Sequence, residues 1–364
     1  MRSGMWSASQ VDARWLDAQL HQAIPQLRSG AWQAISCEIS RVRARWSSRV
    51  VFCQLTYREV GASRPVTLRL VVKAGPHVRN GTEIEALETL ARAGMCAPSR
   101  YRAPRLLGAL LDEGVMAQPE VLGTTLRALL ANPQTSAARA TSAARAAARW
   151  LARLQSTTIA VEEDFPPPIE MDEPFDSLIE DLRLSFPRHQ GLSAALDQAA
   201  ALDHPPEEKR APSHGDFHPG QVLLDSRLTT TVLDFETFAW RPLGFDVGTC
   251  LAQLLAMAWF DTGNARPGVS AARAFWRAYA REGCATWPEA RFHSVRALLH
   301  VLRFALASPR PDAQELLAEW TWLITSFVSS ESDDALWRQL RRESPLGRPS
   351  AHVAAGAAEA AEAV

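Results

Sequence analysis

Two stretches near the amino terminus, Val50 to Tyr57 and Val66 to Lys73, are dense in β-branched and aromatic residues, and Gly61-Ala62-Ser63-Arg64-Pro65 between them supplies turn chemistry. The pattern predicts β-structure from about Ala31 to Gly75. The period then changes. Ile84, Leu87 and Leu90 recur on one helical face, predicting a helix from Thr82 to Ala93 that Gly94 ends. Two further strands fit Arg105 to Leu111 and Gly114 to Gln118. From Thr125 the spacing is helical, with an Ala/Arg-rich helix from Ser136 to Gln155 that carries TSAARA twice in tandem. A Pro-rich acidic loop, Glu162 to Glu173, precedes more helix to Leu202. A β-hairpin is expected around Val222 to Phe235, and then about four Trp- and Leu-rich helices to Arg342. The fold class expected is α+β, a small sheet with one helix followed by a larger, mainly helical part. The expected organisation is a helical extension over 1–29, a first lobe over 30–120, a second over 121–343 and a disordered tail over 344–364.

Composition narrows the function. The chain has 364 residues, enough for two cores, with 47% hydrophobic and 22% charged residues and a formal net charge of -1. Basic and acidic residues are interspersed, so no nucleic-acid partner is expected. The first residues lack the apolar centre of a signal peptide, and the longest apolar stretch, Cys250 to Phe260, is too short to span a bilayer. The five cysteines stand singly, with no CxxC pair, which fits reduced thiols. A cytoplasmic protein, monomeric or homodimeric and free of membrane, is the expectation.

The chemistry concentrates in Ser213-His214-Gly215-Asp216-Phe217-His218-Pro219-Gly220-Gln221-Val222-Leu223-Leu224, followed by Thr231-Val232-Leu233-Asp234-Phe235-Glu236. An Asp in a Gly/Pro-rich loop, an amide and a second Asp at a strand end are hard oxygen groups, suited to Mg²⁺ and to a hydroxyl nucleophile. Earlier in the chain, Lys73 closes an apolar strand, where a buried ammonium is costly unless anions meet it. HGDFHPGQVLL resembles the catalytic-loop signature of the aminoglycoside phosphotransferase and choline kinase-like family, and VLDFE resembles that family's metal-binding segment. The five-residue interval from Asp216 to Gln221 equals the Asp to Asn interval of the kinase catalytic loop. Gln221 departs from the usual Asn by one methylene.

The resemblance implies a bilobal protein-kinase-like fold and an ATP- and Mg²⁺-dependent enzyme that phosphorylates a small-molecule hydroxyl, with GTP as the other nucleotide. Asp216 would receive or orient the hydroxyl proton, and Gln221 and Asp234 would hold Mg²⁺ on the phosphates. Lys73 would contact the α- and β-phosphates, held by Glu83 on the next helix, with Glu85 and Glu88 as competitors. His214 would buttress the loop, as would Asp246, whose plainer reading is a helix N-cap. His218 and Glu236 have either supporting or direct roles. The phosphate-covering loop would lie at Arg45 to Arg49, which has no glycine, so the hydroxyls of Ser47 and Ser48 or the arginine side chains would substitute. The link between lobes would present backbone at Glu120 and Val121 to the nucleobase. HGDxHxGQ followed by DFE also resembles maltokinases, so the acceptor is open among antibiotic, amino sugar, sugar and natural product. Acids gathered at 162–164, Glu170, 172–173, Asp176 and 180–181 would favour a cationic acceptor. The alternative is a non-catalytic, kinase-like nucleotide-binding protein.

Overall fold

The computed structural model describes residues 12–45, 48–157, 174–205, 209–282 and 284–342. They fall into two compact units. The first runs to Leu122 and also takes in Thr231–Phe238; the second holds the remaining residues up to Thr230 and those from Ala239 onward. The acidic loop from Glu162 to Glu173 and the tail from 344 lie outside the described residues.

The first unit is built on a five-stranded antiparallel sheet in the order Trp32–Arg45, Ser48–Glu59, Val66–Ala74, Val115–Pro119, Gly108–Leu110. Val51, Cys53, Leu55 and Tyr57 alternate inward on the second strand, as the period-two pattern requires. The third strand is buried at every residue from Leu70 to Ala74. Leu70, Val72 and Ala74 share the core with Leu16 and Leu20 of the Ala13–Ala23 helix and with Ile24 and Leu27. Each fully buried leucine or isoleucine contributes about 1.5–3 kcal/mol before the entropy of ordering is subtracted. The alternate residues, Val71 and Lys73, therefore point to the opposite face. The helix after the strand runs Thr82–Arg92 from a left-handed Gly81 (φ 77°) and is followed by Gly94 in the same region (φ 76°).

In the second unit the strand Arg210–Ser213 pairs antiparallel with Ala239–Pro242, and Thr124–Thr125 with Val222–Leu224. The Ala/Arg-rich helix is Ala137–Gln155, with Ser136 as its cap accepting from the Arg139 N–H. Its alanines from Ala143 to Ala152, with Trp150, Leu151 and Leu154, are buried, while its arginines lie along the polar face. The centre is the Gly244–Thr262 helix, against which Arg266–Tyr279 and Trp287–Leu306 pack. Gly248 makes that approach possible, since a Cβ there would lie 2.5 Å from the backbone at His293 and Ser294. Five helices, not about four, occupy the stretch to Arg342. Left-handed Gly263 ends the first, and Pro267 starts the next within a few residues, a break too short to show in the hydrophobic pattern. The expected strand at Arg105 to Leu111 is confined to Gly108–Leu110. All five cysteines are free thiols. No helix among the described residues is long and apolar enough to cross a membrane.

Candidate active site

In the first unit Lys73 stands at the buried end of its strand, its side chain 11% exposed. Its ammonium donates to both Glu83 oxygens, Oε1 at 2.6 Å and Oε2 at 2.9 Å, and to Asp234 Oδ1 at 2.7 Å. Three N–H donors thus meet three carboxylate oxygens, which fills the ammonium's capacity. Glu83 is 2% exposed in the first turn of the Thr82–Arg92 helix, whereas Glu85 and Glu88 face outward. Burial works against the charge on Lys73. The attraction of Glu83 and Asp234 and their hydrogen bonds outweigh it and carry the lysine above its ordinary pKa. Burial likewise raises Glu83, against the pull of Lys73 and a hydrogen bond from the Phe235 backbone.

Asp234 takes φ 70°, a region that costs a non-glycine residue about 1 kcal/mol or more. Buried Phe235 and Phe238 follow it, the Phe238 N–H donating to the Phe235 carbonyl at 3.1 Å. Anchoring by these rings keeps the strained backbone and its carboxylate in place.

In the second unit the strand Arg210–Ser213 delivers the chain into the loop of His214 to Gln221. Asp246, fully buried in the first turn of the Gly244–Thr262 helix, accepts from the His214 N–H at 2.6 Å and the Gly215 N–H at 3.0 Å. It therefore serves the loop rather than capping its own helix, which shows no side-chain cap bond. Burial raises its pKa, and His214 and the two backbone donors oppose the shift. Gly215 takes φ 86°, turning the chain so that Asp216 emerges with its side chain 51% exposed. His214 is fully buried, and its Nδ1 accepts from the Asp216 N–H at 3.3 Å. Phe217 is fully buried between Trp150 and Phe275 and so anchors the loop in the core. His218 Nδ1 accepts from the Gly220 N–H at 3.0 Å, so the neutral ring carries its proton on Nε2, which lies 3.5 Å from Asp216 Oδ2. That contact gives His218 a supporting place next to Asp216. The Gln221 N–H donates to the His218 carbonyl at 3.0 Å, closing the loop.

The other expected site residues are less tightly assembled. Ser48 begins the second strand and pairs in register with Arg45, while Ser47 lies outside the described residues. The Glu120 N–H donates to the Arg69 carbonyl at 2.8 Å and its carboxylate meets Arg69 Nε at 2.6 Å, so that amide is committed within the sheet. Val121 follows as a half-buried residue. Of the acids expected to gather a cationic acceptor, Asp181 pairs with Arg303 at 3.3 Å and Glu180 with Arg183 at 3.8 Å. Among the described residues no group of three or more His, Cys, Asp or Glu could hold a metal.

A sequence profile of the phosphotransferase enzyme family matches residues 38–293, a span that includes Lys73, Glu83, Asp216, Gln221 and Asp234. The chain belongs to that family. Among solved structures, the phosphotransferase chain is similar to macrolide 2'-phosphotransferase MphH from Brachybacterium faecium, at 16% identity and a TM-score of 0.50, covering 85% of this chain and 98% of that one. It is also similar to the streptomycin–ATP–APH(2")-IIa ternary complex, at 14% identity and a TM-score of 0.52, covering 85% and 96%. Spectinomycin phosphotransferase APH(9)-Ia in complex with ADP and spectinomycin is a third, at 13% identity and 0.50, covering 92% and 98%. A search of curated proteins finds no match. At these identities the likeness establishes the fold, which is kinase-like, with the antiparallel sheet in the amino-terminal part and helices in the carboxy-terminal part.

Proposed function

We propose that this phosphotransferase moves the γ-phosphoryl group of ATP, with Mg²⁺, onto a hydroxyl of a small molecule. The observation that carries the reading is the buried Lys73 ammonium, held by Glu83 and by Asp234, a residue 161 positions away. A structural lysine needs one counter-charge; a lysine with two carboxylates around it is arranged to exchange one of them for a stronger anion. Nucleotide phosphates would take the place of Asp234 on Lys73 while Glu83 holds the ammonium. The released Asp234 carboxylate and the Gln221 amide oxygen are hard donors. Donors of this kind suit Mg²⁺, which binds through one or two protein oxygens and the substrate's own phosphates. When bound, the cation neutralises charge on the β- and γ-phosphates. Asp216, exposed and aimed by its Asp246-anchored loop, accepts the hydroxyl proton as the oxygen attacks phosphorus. His218 holds that carboxylate through Nε2–H. On this reading residues 30–120 serve the nucleotide and 121–343 the acceptor, and amino sugars and other antibiotics head the acceptor classes to test.

The test is substrate-dependent ADP release across aminoglycosides, other antibiotics, sugars and amino alcohols. Asp216→Asn is expected to lower kcat by ~10²–10⁴ with nucleotide affinity kept. Near-normal turnover would remove Asp216 from the reaction. Asp234→Ala is expected to weaken Mg²⁺-dependent nucleotide binding more than Gln221→Ala, because only the carboxylate brings a full charge to the cation. Nucleotide binding with no turnover on any acceptor, and no effect of Asp216→Asn, would leave a nucleotide-binding protein instead.

A further inference from the structure

Four arginines of the second unit line one cavity that the phosphoryl-transfer reading does not use. It lies between the Arg266–Tyr279 helix and the Asp333–Arg342 helix, has a volume of about 470 Å³, and is lined by Arg273, Arg277, Arg338, Arg341, Asp334 and Trp337. The Asp333–Arg342 helix lies beyond residue 293, where the family match ends, so the cavity is not built from the family's shared segment alone.

The arrangement is electrostatically unbalanced. Four guanidinium groups face a single lining carboxylate, Asp334. That carboxylate is already engaged: Arg277 donates to it at 3.0 Å and Arg273 lies 4.0 Å away. Arg273 is half-buried, with 24% of its side chain accessible, while Arg277 at 48%, Arg338 and Arg341 are exposed. No acceptor among the described residues meets its Nε, nor the indole N–H of buried Trp337. Burial, and then Arg341 and Arg277, pull the Arg273 pKa down, with Asp334 and Asp333 opposing. Packing does not require this concentration of charge. Leu336, Trp337 and Leu340 already seat the helix in the core, and the arginines flank that apolar stripe. Like charges held around one cavity repel, and only an anion in it reverses the sign of that energy.

We propose that this cavity is a binding site for a small multivalent phosphate anion, of the diphosphate or phosphate-ester class. The guanidinium fork matches phosphate oxygens two at a time, and several forks around one cavity favour an anion with more than one charged group. The volume exceeds what a single phosphate fills and sits within the usual range of small-ligand sites. Asp334 plays a defined part. It holds Arg277 in place, and it opposes the anion.

The experiment is calorimetric titration of the full chain with inorganic pyrophosphate, in chelator so that no divalent cation assists, at two ionic strengths. Saturable binding that weakens as salt rises is expected. Arg277→Gln combined with Arg338→Gln, both on exposed side chains, is expected to weaken it at least tenfold, and Asp334→Asn to strengthen it several-fold. The second variant separates the proposal from a purely structural role, in which loss of the Arg277 contact would leave affinity unchanged or lower it. Absence of binding to the wild type overturns the proposal, as does binding that ignores the paired arginine substitutions or weakens in Asp334→Asn. Tighter arginine-dependent binding of poly-glutamate than of pyrophosphate would overturn it too, by showing an acidic peptide as the occupant.

Discussion

Replacing Lys73 and Glu83 singly and together tests whether the buried charge cluster behaves as one unit. In Lys73→Met the ammonium goes and two carboxylates remain, Glu83 at 2% and Asp234 at 21% exposure, with no cation between them. An uncompensated buried partner of this kind costs about 3–5 kcal/mol. In Glu83→Gln the lysine keeps Asp234 at 2.7 Å and an amide oxygen where the carboxylate stood. The loss there is expected to be smaller, about 1–3 kcal/mol. Lys73→Met with Glu83→Gln removes both charges from the dry end of the strand, so no buried carboxylate at position 83 is left without its cation and much of the loss is offset. The coupling between the two sites is then at least about 2 kcal/mol, with the double variant more stable than the sum of the singles. Equilibrium unfolding in urea of the four proteins gives the cycle. The same proteins assayed for phosphoryl transfer are expected to lose kcat/KM non-additively, because Glu83 acts only through Lys73. Additive stability changes would refute the reasoning, and so would a Glu83→Gln variant less stable than Lys73→Met. Either result would mean that the ammonium is not the centre of the cluster.

Burial, with Arg296 adding to it, pushes His293 down to about 3 from its ordinary 6.5. The unfolded chain takes up a proton at this residue as pH falls through 6.5 while the folded chain does not, so stability declines on acidification, by about 2 kcal/mol between pH 7 and pH 5 from this group. His293→Phe is expected to lose that increment of the slope in urea unfolding at the two pH values, and equal slopes for both proteins would count against it. Asp246→Ala orphans the N–H groups of His214 and Gly215, at an expected cost of about 2–5 kcal/mol. It is also expected to lower kcat more than it changes nucleotide affinity, since Asp216 sits on the loop it anchors; unchanged unfolding and turnover would show that the loop holds its shape without it. Gly248→Ala drives a Cβ to 2.5 Å from the backbone at His293 and Ser294 and is expected to cost about 3 kcal/mol or more, read as a fall in Tm.

Local rules were enough for much of this protein. The density of β-branched and aromatic residues in Val50 to Tyr57 and Val66 to Lys73 marked the sheet, and the face made by Ile84, Leu87 and Leu90 marked the helix and put Glu83, rather than Glu85 or Glu88, on its inner side. The loop around Asp216 was legible because its groups act within a few residues of one another: His214 receives the Asp216 N–H, and His218 turns back to Asp216 and Gly220. Both ranges are those over which backbone geometry alone fixes which side chains meet. Tertiary structure decided the rest. That Lys73 reaches Asp234, 161 residues on, depends on which distant strand ends the packed core brings together, and no periodicity carries that information. Asp246 by its local pattern reads as a helix N-cap, and only the family resemblance pointed to the loop; the packing of its helix is what brings its carboxylate to the N–H groups of His214 and Gly215. Arg273 and Arg277 look like the polar face of one helix and Arg338 and Arg341 like that of another. They share a cavity because both helices bury their apolar stripes against the same core, and that burial sets the distance between like charges that the sequence lists some sixty positions apart.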